Sequence, residues 1–167
     1  MVVPTVSQTT SATRPFEEAE SRVALPRLSK DHVLVVIDME EGAALGRYHD
    51  IYLNKKWWAR HTEVCNTINA LGDRFDRVIF VVDTTFRNPK YLQVFSSLRP
   101  LLGRAETVYK KQDDGSNDVA PFLSDTDQIF VCGMNTAACV LRTARGLSRL
   151  GYETSVVSDA SWCVYSA

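Results

Sequence analysis

Residues 128–151 read QIFVCGMNTAACVLRTARGLSRLG, and this stretch decides the fold. Its first part, Gln128 to Cys132, has the apolar character of a buried strand. The chain then passes through Gly133 into a segment from about Thr136 to Leu150, in which the apolar residues recur at helical spacing. Gly151 follows as a C-terminal stop signal. The stretch therefore predicts a strand that leads directly into a helix.

The same alternation of strand and helix continues on the N-terminal and C-terminal sides of this stretch. Two β-branched runs end at an aspartate, at Asp38 and at Asp83, and neither alternates with polar residues, which indicates burial on both faces. A helix is also predicted from about Lys55 to Leu71, and strands over Thr107 to Lys110 and Thr154 to Ser158. A short helix with Tyr91, Phe95 and Leu98 on one face is predicted to end at Pro100. This order predicts an α/β fold with a mostly parallel, doubly wound sheet.

The composition of the chain narrows the classes of protein to which it can belong. The chain has 167 residues, enough for one domain, and 19 Lys and Arg stand against 20 Asp and Glu. A formal net charge of −1 gives no basic field for nucleic acid, and every apolar run is far too short for a bilayer span. We therefore expect a soluble protein that acts on a small molecule.

The termini and the cysteines indicate where the protein works. Residues 1–30 lack a basic and apolar leader, so we expect a loosely ordered arm before a domain at residues 31–167. The four cysteines form no Cys-x-x-Cys pair with a matching partner, and they are expected to be free thiols in a reducing, cytoplasmic compartment.

Three chemically complementary residues follow three of the predicted strands. Asp38, Lys110 and Cys139 each have an ordinary structural explanation when taken alone: a loop cap, a solvated charge and a small core residue. In a parallel sheet, however, the carboxyl ends of the strands meet at one crevice, where a carboxylate, an ammonium and a thiol form a nucleophilic site. If Asn135 or Thr136 caps the helix, Cys139 lies in the first turn, and we expect its thiol to ionise at or below neutral pH.

The stretch from 132 to 144, with the downstream Val156-Val157-Ser158-Asp159-Ala160, resembles the isochorismatase-like cysteine hydrolases. The resemblance extends to Asp38 and Lys110 and covers roughly residues 31–160. It implies a three-layer α/β/α fold with a Cys139-Asp38-Lys110 triad that hydrolyses amides or related C–N bonds. It also implies an oxyanion hole formed by the backbone N–H groups of Cys139 and Asn135, after a cis peptide bond between Met134 and Asn135.

Departures from the family pattern refine these expectations. The histidines at 32, 49 and 61 lack the spacing of the metal motif of nicotinamidases, so we expect neither a metal nor another cofactor. The loop after Lys110 departs from the family pattern, and spacing favours Lys110 over Lys111 as the triad lysine. The chain ends before the family's last helix, from which we expect a homo-oligomer. Met134, Thr136, Phe86 and Arg87 complete the predicted set of oxyanion and substrate-binding residues.

Other functions remain open at this stage. The altered loop and the missing helix are compatible with a catalytically silent binding or assembly module. A thiol redox protein that uses Cys132 and Cys139 would need a shorter spacing between them. A nucleotide-binding oxidoreductase would need a glycine-rich phosphate loop after a strand, which the sequence lacks.

Overall fold

The computed structural model describes residue 28 and residues 30–41, 55–85 and 92–163. Its centre is a sheet of five strands: β1 (His32–Ile37), β2 (Arg77–Asp83), β3 (Glu106–Lys110), β4 (Gln128–Met134) and β5 (Glu153–Trp162). They lie in the order β3-β2-β1-β4-β5, and all neighbouring pairs are parallel. Because the order reverses between β1 and β4, a ligand crevice is expected beyond the carboxyl ends of these two strands.

Helices cover both faces of this sheet. They are α1 (Lys55–Gly72), α2 (Arg99–Leu102), α3 (Ser116–Val119) and α4 (Leu141–Arg149), and a π-helical turn, Thr136–Val140, leads into α4. The buried residues of β1 alternate between two cores: Leu34 and Val36 pack on the α1 side, and Val33, Val35 and Ile37 on the α4 side. The prediction of a parallel α/β fold with a sheet buried on both faces is confirmed.

Gly133 allows β4 to pass close to β1 just before the turn that carries Cys139. Its φ is 109°, and a Cβ built there would lie 2.2 Å from the carbonyl oxygen of Ile37. No other residue fits such a close approach of two backbones. The glycine therefore fixes how the end of β4 meets the end of β1.

Two predicted elements are wrong in detail. The helix expected to end at Pro100 is a 3-10 turn, Ser96–Leu98, followed by α2, and Pro100 lies within the first turn of α2, where proline is well tolerated. The fifth strand runs beyond Ser158 to Trp162 after an irregularity in its pairing with β4. Asp159 is consequently an exposed residue within β5 and does not end the strand.

Most of the predicted arm, residues 1–30, lies outside the described residues. Among the helices that the structure does describe, none has the length and apolar character needed to cross a membrane.

Candidate active site

A buried ion pair joins the ends of β1 and β3. Lys110, the last residue of β3, has its Nζ 3.0 Å from Oδ1 and 3.1 Å from Oδ2 of Asp38, which directly follows β1. The same Nζ donates a hydrogen bond to the carbonyl oxygen of Gln112. Lys110 is 1% exposed and Asp38 is 6% exposed, and charges at such depth are rarely found unless they are paired. The two predicted site residues are thus in direct contact.

The backbone at Asp38 adopts an uncommon conformation. Its φ is 51°, in the left-handed region that aspartate tolerates better than most residues, and its N–H donates a hydrogen bond to the carbonyl oxygen of Val81 in β2. Backbone strain of this kind persists only where the surroundings enforce it, and it concentrates at functional sites. The end of β1 is therefore a constrained position.

The thiol of Cys139 lies beside this ion pair. It belongs to the π-helical turn after β4, its S–H group donates a hydrogen bond to Oδ1 of Asp113 at 3.8 Å, and the charges of Asp38 and Lys110 both act on it. The turn begins at Asn135, whose carbonyl oxygen accepts hydrogen bonds from the N–H groups of Ala138 and Val140 at 3.0 and 3.2 Å. The structure thus brings together the thiol, the carboxylate and the ammonium that the sequence placed at three strand ends.

Electrostatics set the protonation states of these three groups. Burial raises the pKa of Asp38 from 3.8 to about 6, although the ammonium of Lys110 acts in the opposite direction. Burial lowers the pKa of Lys110, but the charge of Asp38 and other nearby groups outweighs it, and the net pKa is raised above 10.5. At neutral pH the site therefore holds a carboxylate and an ammonium.

The expectation that Cys139 ionises at or below neutral pH is wrong. The pKa of its thiol is raised from 9.0 to about 12, mainly by burial and then by the charge of Asp38, and the ammonium of Lys110 offsets only part of this rise. A thiolate in this place would face a carboxylate at close range in a water-poor site. Cys139 is consequently an uncharged thiol at neutral pH.

The residues predicted around the oxyanion differ in what they contribute. The peptide bond between Met134 and Asn135 is cis, as predicted. The side chain of Met134 is packed in the core on the α1 side, so only its backbone, through the cis peptide bond, belongs to the site. Thr136 is half-buried at the start of the π-helical turn. Phe86 and Arg87 lie outside the described residues.

Three acidic residues that had no predicted role surround the cluster. Glu40 is completely buried, and burial together with the charge of Asp38 raises its pKa well above 4.5. Asp83, at the end of β2, is 7% exposed and accepts a hydrogen bond from the N–H of Thr85. The carboxylate of Asp113 has Oδ1 3.8 Å from Cys139 Sγ. The sequence does carry a signal for Glu40, because this second carboxylate follows Asp38 by only two residues.

Asp113 also forms an ion pair with Arg142, which lies three residues after Cys139 in α4. Both side chains are partly exposed, so this pair is at the solvent side of the cluster. The site thus has a buried cation paired with Asp38 and an outer cation paired with Asp113.

The fold and this cluster define a class of protein: a parallel α/β protein with a thiol, a carboxylate and an ammonium at the ends of three strands. The sequence model of the Isochorismatase domain matches residues 32–166. The chain therefore belongs to the isochorismatase family. No curated protein sequence matches the chain significantly.

Solved structures from several bacteria and an archaeon have the same fold. An isochorismatase-like hydrolase from Alkaliphilus metalliredigens aligns with a TM-score of 0.63 at 15% identity, over 80% of this chain and 82% of the other. A cysteine hydrolase from Pseudomonas syringae pv. phaseolicola 1448A aligns with a TM-score of 0.62 at 20% identity, over 83% and 76%. The N-carbamoylsarcosine amidase of Thermoplasma acidophilum aligns with a TM-score of 0.55 at 19% identity, over 79% and 84%.

Proposed function

We propose that this protein is a metal-independent cysteine hydrolase that cleaves an amide or a related C–N bond of a small molecule. The observation that carries the proposal is the buried ion pair of Asp38 and Lys110, both of whose charges act on the Cys139 thiol. A nucleophile, a nearby base and a charge that orients the base are the parts required for covalent catalysis.

In the first step, Cys139 attacks the carbonyl carbon of the substrate while Asp38 takes the thiol proton. Because the thiol pKa is about 12 and that of Asp38 about 6, a free thiolate is rare at neutral pH. Proton transfer therefore accompanies the formation of the S–C bond and does not precede it. The negative oxygen of the tetrahedral intermediate is stabilised by the backbone N–H groups of Cys139 and Asn135, as the family resemblance implies.

In the second step, the C–N bond breaks, and the leaving nitrogen takes the proton from Asp38. The product of this step is a thioester on Cys139 and a free amine or ammonia. Asp38, again a carboxylate, then removes a proton from a water molecule that attacks the thioester. The thiol is regenerated, and the acid product leaves.

Lys110 has an electrostatic role in this sequence. Its ammonium stays protonated throughout, since the charge of Asp38 and the groups around it raise its pKa above 10.5. It keeps Asp38 ionised at neutral pH, and it stabilises negative charge that develops next to it. Without it, burial would leave Asp38 protonated and unable to accept the thiol proton.

The experiment is a screen of the purified protein against small amides, ureas and N-carbamoyl compounds, with released ammonia as the measurement. The N-carbamoylsarcosine amidase and the nicotinamidases among the similar structures support this choice of compounds. We expect Cys139→Ala to abolish hydrolysis and Cys163→Ser, the matched control, to leave it unchanged. Hydrolysis that persists in Cys139→Ala would contradict the proposal and favour a different site.

A further inference from the structure

The thiol of Cys139 faces a carboxylate that comes from the loop between β3 and α3. Oδ1 of Asp113 accepts a hydrogen bond from the S–H group of Cys139, with 3.8 Å between oxygen and sulfur. Its Oδ2 is ion-paired with Nη1 of Arg142, which lies three residues after Cys139 in α4. One carboxylate thus connects the thiol to a cation on the helix that follows it. Neither Asp113 nor Arg142 takes part in the proposed proton transfers.

The backbone of this loop is anchored on both sides of Asp113. On one side, the carbonyl oxygen of Gln112 accepts a hydrogen bond from Nζ of Lys110 at 3.0 Å. On the other side, the N–H of Gly115 donates a hydrogen bond to Oγ1 of Thr143 in α4, also at 3.0 Å. The fold therefore fixes where the backbone of Asp113 lies, and the ion pair with Arg142 fixes where its side chain points.

The thiol lies between two carboxylates whose surroundings differ. Asp38 is 6% exposed and is paired with the buried Lys110. The side chain of Asp113 is 38% exposed and is paired with Arg142 on the solvent side. Burial raises the thiol pKa most, the charges of Asp38 and Asp113 add to this rise, and the ammonium of Lys110 opposes it. Only a protonated sulfur can donate the hydrogen bond to Asp113, so this contact stabilises the thiol relative to the thiolate.

We propose that Asp113 is a positioning residue that holds the S–H group of the resting nucleophile on the solvent side, and that Arg142 keeps Asp113 in place. In the proposed reaction the thiol proton goes to Asp38, so the S–H group must turn from Asp113 to Asp38 before the sulfur attacks. The contact with Asp113 is therefore inhibitory, because it stabilises the resting state and is lost in the transition state. The inference rests on the proposed function for the role of Cys139 as the nucleophile.

Alkylation of Cys139 tests this role without a substrate. In a Cys163→Ser background, the rate constant for iodoacetamide is measured as a function of pH, and peptide mapping identifies the labelled cysteine. Asp113→Asn removes the charge and keeps the size of the side chain. A unit charge at this distance changes the thiolate fraction about tenfold, but a thiolate of lower pKa is also less nucleophilic. We therefore expect alkylation of Cys139 below its pKa to become about threefold faster.

The matched control is Asp114→Asn. Asp114 is the next residue of the loop and is half-buried like Asp113, but its Oδ1 accepts a hydrogen bond from the N–H of Ser116 at 2.9 Å. This variant removes an equal charge that faces Ser116 instead of the sulfur, and it should leave the pH profile of alkylation unchanged. If Asp113→Asn also leaves the profile unchanged, or if both variants accelerate alkylation equally, the inference is wrong.

A double-mutant cycle tests the part of Arg142. Without the guanidinium, the carboxylate of Asp113 is free to turn into the solvent, so we expect Asp113→Asn to have a smaller effect on alkylation in an Arg142→Gln background. Arg145→Gln is the control, since Arg145 is an exposed residue of the same helix, and the full effect should persist there. An equal effect in the Arg142→Gln background would show that Arg142 does not hold Asp113.

Hydrolysis separates this inference from the proposed function. On a substrate of the wild-type protein, Asp113→Asn should raise kcat/KM, because the resting hydrogen bond no longer has to break before the attack. If Asp113→Asn abolishes hydrolysis, Asp113 takes the thiol proton itself and the positioning role is wrong. If protein alkylated at Cys139 still hydrolyses the substrate, the proposed function fails, whatever the effect of Asp113 on alkylation.

Discussion

Separating the buried ion pair tests the electrostatic reasoning without a known substrate. Lys110→Met removes the counter-ion of the buried Asp38 carboxyl, and Asp38→Asn leaves Lys110 as a buried unpaired ammonium. Removal of one member of a buried pair typically costs about 3–5 kcal/mol, whereas removal of both charges is often close to neutral. We therefore expect each single variant to lose about 3–5 kcal/mol of unfolding free energy at pH 7 and the double variant to lose at most about 2 kcal/mol.

The pH dependence of Lys110→Met follows from the pKa of Asp38. Burial already raises this pKa to about 6, above its usual 3.8, and loss of the ammonium raises it further. A carboxyl whose pKa is higher in the folded state lowers stability as pH rises from its unfolded-state pKa to its folded-state pKa, because in this range only the folded state still binds the proton. Because wild-type Asp38 already has a pKa of about 6, the stability difference between Lys110→Met and wild type should grow as pH rises above about 6, and it should shrink on acidification towards 6.

Urea unfolding followed by tryptophan fluorescence measures these free energies. The matched control is the exposed pair of Arg60 and Glu63, separated by 2.7 Å on one face of α1, for which a double-mutant cycle should give a coupling of at most about 0.5 kcal/mol. If the effects of Lys110→Met and Asp38→Asn are additive, the two charges do not depend on each other, and the electrostatic account of the site is refuted.

Three further predictions concern catalysis and folding. Hydrolysis should survive exhaustive chelation. A loss of activity on chelation that a divalent ion restores would refute metal independence. Because Asp38 must be ionised to accept the thiol proton, kcat/KM should rise with pH through about 6, the pKa to which burial raises this carboxyl. A pH profile that is flat from pH 5 to 7 would exclude Asp38 as the base. Gly133→Ala places a Cβ 2.2 Å from a backbone oxygen and should lower the unfolding free energy by several kcal/mol, roughly the range of strained core substitutions. The control is Gly103→Ala, whose Cβ meets no atom within 4 Å and which should be nearly neutral in the same denaturation assay.

Sequence patterns predicted the sheet well because its strands are buried on both faces. Runs such as Val33 to Ile37 have no polar residue that could be placed towards solvent, so a central parallel strand is the arrangement that buries them. The positions of Asp38 and Lys110 followed from the same patterns, since each polar residue directly follows or ends an apolar run. Their contact across β2 is a consequence of strand order, which the sequence alone leaves open.

The details that the sequence did not predict depend on tertiary packing. The irregular pairing of β5 with β4 extends the strand past Asp159, and no local pattern marks this irregularity. The burial of Glu40 beside Asp38 depends on segments far apart in sequence, including the bridge between Glu40 and Val94. A glutamate three residues beyond a strand is ordinarily a solvated loop residue.

The thiol pKa shows why a local rule failed at Cys139. A position at the start of a helix favours a thiolate, because unpaired N–H groups and the helix dipole are positive there. In this fold the same position is 6% exposed and lies in the field of the Asp38 carboxylate, and these two effects raise the pKa to about 12. The base that would remove the proton during catalysis is thus the group that keeps the thiol neutral at rest. A nucleophile of this kind resists alkylation and oxidation until a carbonyl carbon is in place, because only attack on the substrate makes transfer of the proton to Asp38 favourable.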